Sequence, residues 1–264
     1  MNTVQKDFRL DGKVIVMTGA AGILGAAAVA RFMESGARVC ALDVSEAGLD
    51  ILGPAHDQLM KLSVNVSNRN NLIDAQAAVF KQWGTADVLF NNAATKSENF
   101  FAPFEDFPLE DWNEVMAVNL TGAMLCCQVF GSPMAKRGSG AIVNTLSIYG
   151  IVAPDQRIYE GSEYLGSPIN TPAIYSASKA GLWGLTKYLA SYWGARGVRV
   201  NAVTPGGVRS GQNETFVDKY ASRVPLGRMA TGRDIVNAMT FLASDASEYI
   251  SGHNLVVDGG WTVW

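Results

Sequence analysis

The chain has 264 residues, of which 48% are hydrophobic and 17% charged, a composition able to bury one substantial core. With 21 basic against 24 acidic residues, a formal net charge of -3 and no basic run, it carries no electrostatic footprint for a nucleic-acid backbone. No apolar run reaches the length of a membrane span and Met1–Asp7 lacks the apolar core of a secretory signal, so a cytoplasmic chain with no membrane or nucleic-acid partner is expected.

From Lys13 onward, short β-rich runs alternate with longer stretches of helical period, the pattern of repeated βαβ units feeding a parallel sheet. Strands are expected at Val14–Thr18, Arg38–Leu42, Lys61–Val64, Asp87–Phe90, Gly140–Thr145, Arg199–Val203 and Leu255–Val257. Each is nearly continuously apolar, as strands buried on both faces are. Helices are expected at Ile23–Ser35, Asn68–Trp83, Leu109–Lys136, Ala173–Gly194 and Arg233–Ala243. Right-handed crossovers then place helices on both faces of one doubly wound α/β sheet. No repeat or Pro/Gly-rich linker divides the chain, so residues 1–264 read as a single domain.

Cys40, Cys126 and Cys127 fall in apolar or helical stretches without metal-ligand spacing, and Cys126 and Cys127 are expected on different sides of a helix. Reduced structural thiols follow. His56 and His253 have no partner at a motif spacing, so no metal is expected.

The first strand runs into Thr18-Gly19-Ala20-Ala21-Gly22-Ile23-Leu24-Gly25 and then an alanine-rich helix. Such a turn lets a pyrophosphate approach backbone N–H groups at a helix N-terminus, although a tight structural turn has the same composition. Asp43, 18 positions beyond Gly25, ends the second strand. There a carboxylate accepts hydrogen bonds from the adenosine ribose hydroxyls and repels a 2′-phosphate. No Arg or Lys lies in the turn or in the three residues after Asp43, so NAD is expected over NADP. The alternative role for Asp43 is to cap a helix beginning near Ser45.

In these segments the chain resembles the short-chain dehydrogenase/reductase family. Its Thr-Gly-x-x-x-Gly-x-Gly turn is approximated with the middle glycine at Gly22 and Ile23 in the slot the family fills with glycine. Asn91-Asn92-Ala93-Ala94 resembles the family's Asn-Asn-Ala-Gly motif, and Asn65-Val66 its Asp-Val pair beside the adenine. The resemblance implies a Rossmann-type fold with seven strands. It also implies that Gly19, Gly22, Ile23, Leu24 and Asp43 bind the dinucleotide, with Asn65, Val66, Asn92, Ala93 and Ala94 lining its cleft.

Tyr175-Ser176-Ala177-Ser178-Lys179 places a phenol and an ammonium at i and i+4 on one helix face. A tyrosine titrates about three units above neutrality, so a nearby cation is needed for it to serve as a base. Ser147 follows the strand Gly140–Thr145, and Asn119 lies on the long preceding helix. The order Asn, Ser, Tyr, Lys resembles the same family. By that resemblance Tyr175 is the general acid/base, Ser147 holds the substrate oxygen, Lys179 lowers the tyrosine pKa and holds the nicotinamide ribose, and Asn119 anchors a water in a proton relay. Asn201–Val208 resembles the family's Asn-x-x-x-Pro-Gly segment, which implies cofactor contacts from Pro205, Gly206 and Val208, with Ser210 keeping a hydroxyl where the family often has threonine. The resemblance runs from Lys13 to Gly260.

Ser147 and Tyr175 are 28 positions apart, about twice what the resemblance leads one to expect. An insertion around 153–172 and a lid around 208–225 therefore border the site. Both are rich in hydrogen-bonding groups, as is Thr95–Asn99, and polar walls favour a polyhydroxylated substrate. Lys96, Arg157 and Arg209 are candidate partners for a carboxylate or phosphate, or else ordinary solvated charges.

The expected activity is NAD-dependent hydride transfer at a secondary alcohol or ketone of a sugar, sugar acid or polyol. A 3-oxoacyl or other ketone reductase, with NADPH and a more apolar lid, is the alternative enzyme. A non-catalytic NAD-binding protein is the alternative outside enzymes. Apolar residues on several faces of the long helices, including Met124, Leu125, Leu182, Trp183 and Leu185, and the apolar Trp261–Trp264 point to a homotetramer, or a dimer, with Trp261–Trp264 packed on a neighbouring subunit.

Overall fold

The computed structural model describes residues 6–264; Met1–Gln5, part of the stretch read for a secretory signal, lie outside the described residues. The strands of the main sheet are β1 (Val14–Thr18), β2 (Arg38–Asp43), β3 (Leu59–Ser63), β4 (Val88–Asn91), β5 (Gly140–Thr145), β6 (Val198–Pro205) and β7 (Asn254–Val257), and Glu163–Tyr164 pairs antiparallel with Ser167–Pro168 in a separate two-stranded ribbon. The seven form one parallel sheet in the order β3-β2-β1-β4-β5-β6-β7. The helices are α1 (Ile23–Glu34), α2 (Arg69–Trp83), α3 (Leu109–Arg137), α4 (Ala173–Gly194), α5 (Glu214–Ala221) and α6 (Gly232–Ala243).

Alternate strand residues serve opposite layers, because successive side chains point to opposite faces. Ile15, Met17, Val39, Ala41, Phe90 and Val143 pack with Phe32 of α1 and Ile235 and Met239 of α6. Val14, Val16, Cys40, Leu42, Leu89 and Ile142 pack with Leu72 of α2, Phe130 of α3 and Trp193 of α4. Each fully buried aliphatic side chain contributes about 1.5–3 kcal/mol, so packing on both faces holds the strand ends that carry the site. The fold is the expected single-domain Rossmann-type α/β sheet.

Three local expectations change, and the cysteines gain detail. The third strand begins at Leu59 instead of Lys61, because reciprocal backbone bonds between His56 and Leu59 turn the chain directly into it. Cys126 and Cys127 are both buried free thiols, and sidedness on α3 does not bring exposure with it, since α3 is enclosed by the sheet and by α4. The same helix is long and apolar enough by composition to cross a membrane, yet its apolar residues are used against the sheet. Helix α5 was not expected. Eight residues are too few for a clear period, but Asn213 caps it and Phe216 and Tyr220 face inward at i and i+4.

Candidate active site

Strand order reverses between β1 and β4, which opens a crevice at their carboxyl ends. Thr18 ties the two edges together: its hydroxyl donates to the Phe90 carbonyl (3.2 Å) and accepts the N–H groups of Asn92 (3.0 Å) and Ala93 (3.1 Å). Below it, Asn91 donates to Asn144 Oδ1 at 2.8 Å, joining β4 to β5.

The glycine turn forms one lobe of the crevice, about 580 Å³, lined by Gly19, Gly22, Ile23 and Leu24. Gly19 has φ +64°, and a Cβ there would lie 2.8 Å from Ala93 Cα. A Cβ on Gly25 would lie 2.0 Å from the Gly19 carbonyl oxygen, so only glycine lets α1 start this close to β1 and β4. Among the described residues no side chain caps the α1 N-terminus, which leaves its first N–H groups for an anion. Asn92 and Ala94 line this lobe and the neighbouring one, while Ala93 backs Gly19.

Asp43 also lines the lobe. Its Oδ2 accepts the Ala21 N–H at 2.9 Å and its Oδ1 the Ser45 N–H at 3.0 Å. The capping role is thus partly realised, with Ser45 itself capping the short helical turn Glu46–Leu49. Among the described residues no Arg or Lys lines the lobe. A glycine face, an uncapped helix N-terminus and a fixed carboxylate together fit a nicotinamide dinucleotide. Asn65 and Val66 are not brought to it. Asn65 Oδ1 accepts the Ser67 N–H at 2.9 Å and closes the turn before α2, and Val66 is buried against Gly122.

The second lobe, about 450 Å³, brings together Ser147, Tyr175 and Lys179. Lys179 is 3% exposed; its Nζ donates to the Thr145 carbonyl at 2.8 Å and lies 5.8 Å from the centre of the Tyr175 ring. Desolvation pushes its pKa down to about 8. Burial raises the pKa of Tyr175, and the neighbouring Ser147 hydroxyl pulls it back. Ser147 Oγ accepts the Tyr149 N–H at 3.2 Å, which leaves its proton to donate. Such an arrangement can transfer a proton to or from a substrate oxygen while a hydroxyl steadies the developing charge.

Asn119 sits behind the lobe instead of lining it. It is 1% exposed, in a π-helical turn spanning Ala117–Gly122. Its Oδ1 accepts the Thr95 N–H at 3.0 Å, and its Nδ2 donates to Ser178 Oγ at 3.2 Å. Since Ser178 is on α4 between Tyr175 and Lys179, Asn119 braces that stretch of the helix.

Pro205, Gly206, Val208 and Ser210 form the opposite wall. The Gly207 N–H donates to Tyr220 Oη at 2.5 Å, and the Tyr220 ring stacks on Trp261 with centroids 4.3 Å apart. Trp261 is therefore buried in its own chain, not against a neighbour, whereas Val263 and Trp264 are exposed.

Residues 153–172 are stitched to the segment after β6. Asn213 and Glu163 exchange bonds of 3.0 and 3.2 Å, the Leu165 N–H donates to the Gly211 carbonyl at 3.2 Å, and Lys219 donates to the Glu160 carbonyl at 2.6 Å. Asp155 accepts from both Arg157 and Arg223, and the Arg157 guanidinium holds its carboxyl well below the usual range.

The substrate walls differ from the expected polar lining. Arg157 pairs with Asp155 and Arg209 with Glu214, both on the outside. Facing the lobe instead are Phe100, Phe101, Tyr149, Tyr159 and Tyr164, aromatic bodies of which three carry hydroxyl tips. Only Lys96 of the three candidate cations lines the lobe, its Nζ 4.5 Å from the Tyr164 ring centre and 5.2 Å from that of Phe101. Sequence reasoning counted polar residues and passed over these aromatics; the available signal was a tyrosine two residues beyond Ser147.

The family model described as enoyl-(acyl carrier protein) reductase matches residues 19–262. D-threitol dehydrogenase of Mycolicibacterium smegmatis is 37% identical over 99% of this chain and 97% of its own length. The 3-oxoacyl-(acyl-carrier-protein) reductase FabG of Thermotoga maritima is 35% identical over 97% of this chain and 100% of its own. The crystal structure of a short chain dehydrogenase from Leptospira borgpetersenii with bound NAD+ superposes with TM-score 0.86 at 34% identity, covering 99% of this chain and 96% of that one. The chain accordingly belongs to the short-chain dehydrogenase/reductase family, as a nicotinamide-dependent oxidoreductase acting on CH–OH groups.

Proposed function

We propose that the protein oxidises, with NAD, a secondary alcohol of a small polyhydroxylated substrate, Tyr175 acting as general base. The observation that carries this is the adjoining of two lobes, one holding Ser147, Tyr175 and Lys179 and the other Asp43 with no Arg or Lys beside it. When bound, the nicotinamide supplies the hydride acceptor. Tyr175 takes the hydroxyl proton at its Oη, and Ser147 donates to the same substrate oxygen. Lys179 stabilises the phenolate, and Asn119 keeps α4 in place. Gly19, Gly22, Ile23, Leu24, Asn92, Ala93, Ala94, Pro205, Gly206, Val208 and Ser210 hold the dinucleotide. Three tyrosine hydroxyls at the substrate end and the similarity to a D-threitol dehydrogenase support a polyol.

Lys96 favours a second reading, a sugar acid whose carboxylate meets that ammonium. The apolar bodies of the wall and the similarity to a 3-oxoacyl reductase favour a ketone reductase instead; the Asp43 lobe, hostile to a 2′-phosphate, argues against its NADPH. NADH formation across polyols, sugars and aldonates, with NADP in parallel, tests all three: oxidation of polyols by NAD supports the reading, and activity confined to NADPH with oxoacyl substrates overturns it.

The same reading takes residues 153–172 as the substrate loop and 208–225 as its lid. It also includes a homotetramer in the cytoplasm, since α4 leaves the stacked pair Tyr188 and Tyr192 exposed. Light scattering that finds a monomer removes the tetramer.

A further inference from the structure

Tyr149 lines the substrate lobe two residues after Ser147, and its N–H donates to Ser147 Oγ. The phenol is thereby registered to the catalytic serine. Tyr159, from the inserted segment, donates its hydroxyl proton to Tyr149 Oη at 3.1 Å. Its oxygen also shares a 2.5 Å hydrogen bond with Thr171 Oγ1. A hydroxyl carries one proton. Because Tyr159 commits its proton to Tyr149, Thr171 must be the donor in the second bond. The chain of hydroxyls runs from Thr171 to Tyr159 to Tyr149, and the proton left over is that of Tyr149. Among the described residues it has no protein acceptor. Burial raises the pKa of both phenols, so both remain protonated donors at neutral pH.

We propose that Tyr149, oriented through Tyr159 and Thr171, donates to a second substrate oxygen apart from the one at the reacting carbon, and so selects polyols over mono-alcohols. This rests on the polyol reading above. The insertion then has a chemical purpose: it delivers Tyr159 and Thr171, which aim a donor already present beside Ser147.

The test compares kcat/KM for glycerol, erythritol and threitol with that for 2-propanol and 2-butanol, in the wild type and in Tyr149→Phe, Tyr159→Phe and Thr171→Val. Tyr149→Phe should lower the polyol to mono-alcohol ratio about five- to tenfold, the worth of one neutral hydrogen bond, chiefly through KM. Tyr159→Phe and Thr171→Val should lower it less, and NAD titration confirms that each variant is folded. If Tyr149→Phe does not fold, Tyr159→Phe carries the test alone. A ratio unmoved, or equal losses on both substrate classes, overturns the proposal while leaving the polyol reading intact. A wild type that oxidises no polyol overturns both, and that result precedes any variant.

Discussion

Asp43 accepts the backbone N–H of Ala21, so the carboxylate that closes β2 is clamped to the glycine turn that follows β1. Asp43→Asn keeps an acceptor for that N–H and removes the charge. The ratio of NADP to NAD efficiency should then rise about tenfold, as a charge-assisted hydrogen bond is worth about 1 kcal/mol or more above a neutral one. Steady-state kinetics with both cofactors checks this, and an unchanged ratio removes Asp43 as the selector.

Tyr175→Phe deletes the proton acceptor without changing the ring. Turnover should fall by about 100-fold or more, with NAD affinity retained in calorimetric titration. Near-normal turnover would falsify the assignment of Tyr175 as the base.

Lys179 titrates at about 8 against an ordinary value of 10.5, through desolvation. Between those pH values the unfolded chain holds more protons than the folded one, so stability rises with pH across the window. Below it, the buried ammonium costs about 3 kcal/mol. The melting temperature of wild type minus that of Lys179→Met should therefore climb from pH 8 to about pH 10 in the cofactor-free protein. A flat or falling difference contradicts this account.

Gly25→Ala places a methyl group against the Gly19 carbonyl, a backbone atom that cannot swing aside. The start of α1 must shift, at an expected cost of about 1–3 kcal/mol, and NAD affinity should fall with it. Denaturant unfolding and cofactor titration measure both effects; an undisturbed variant means the turn has slack.

The sheet was legible because its central strands are buried on both faces and read as apolar runs. Ser147, Tyr175 and Lys179, singled out through the family resemblance, line one lobe, and Asp43, singled out at a strand end, lines the other. The substrate wall was not legible. Arg157 and Arg209 looked available in sequence, but their partners Asp155 and Glu214 lie within a few residues and neutralise them locally. Tyr159 looked like any loop tyrosine, since its value depends on meeting Tyr149, which only the folded loop brings about. Asn65 carries a similar lesson: an amide whose oxygen closes its own turn looks the same in sequence as one with both ends uncommitted.

The bonds that join Glu163 to Asn213, Leu165 to Gly211, Glu160 to Lys219 and Asp155 to Arg223 make two distant stretches of chain into one module. Grafting 153–172 alone into a relative would sever every one of these ties and deliver a loop with nothing to lean on. The unit that keeps its own hydrogen bonds when moved is the pair, 153–172 together with 209–224.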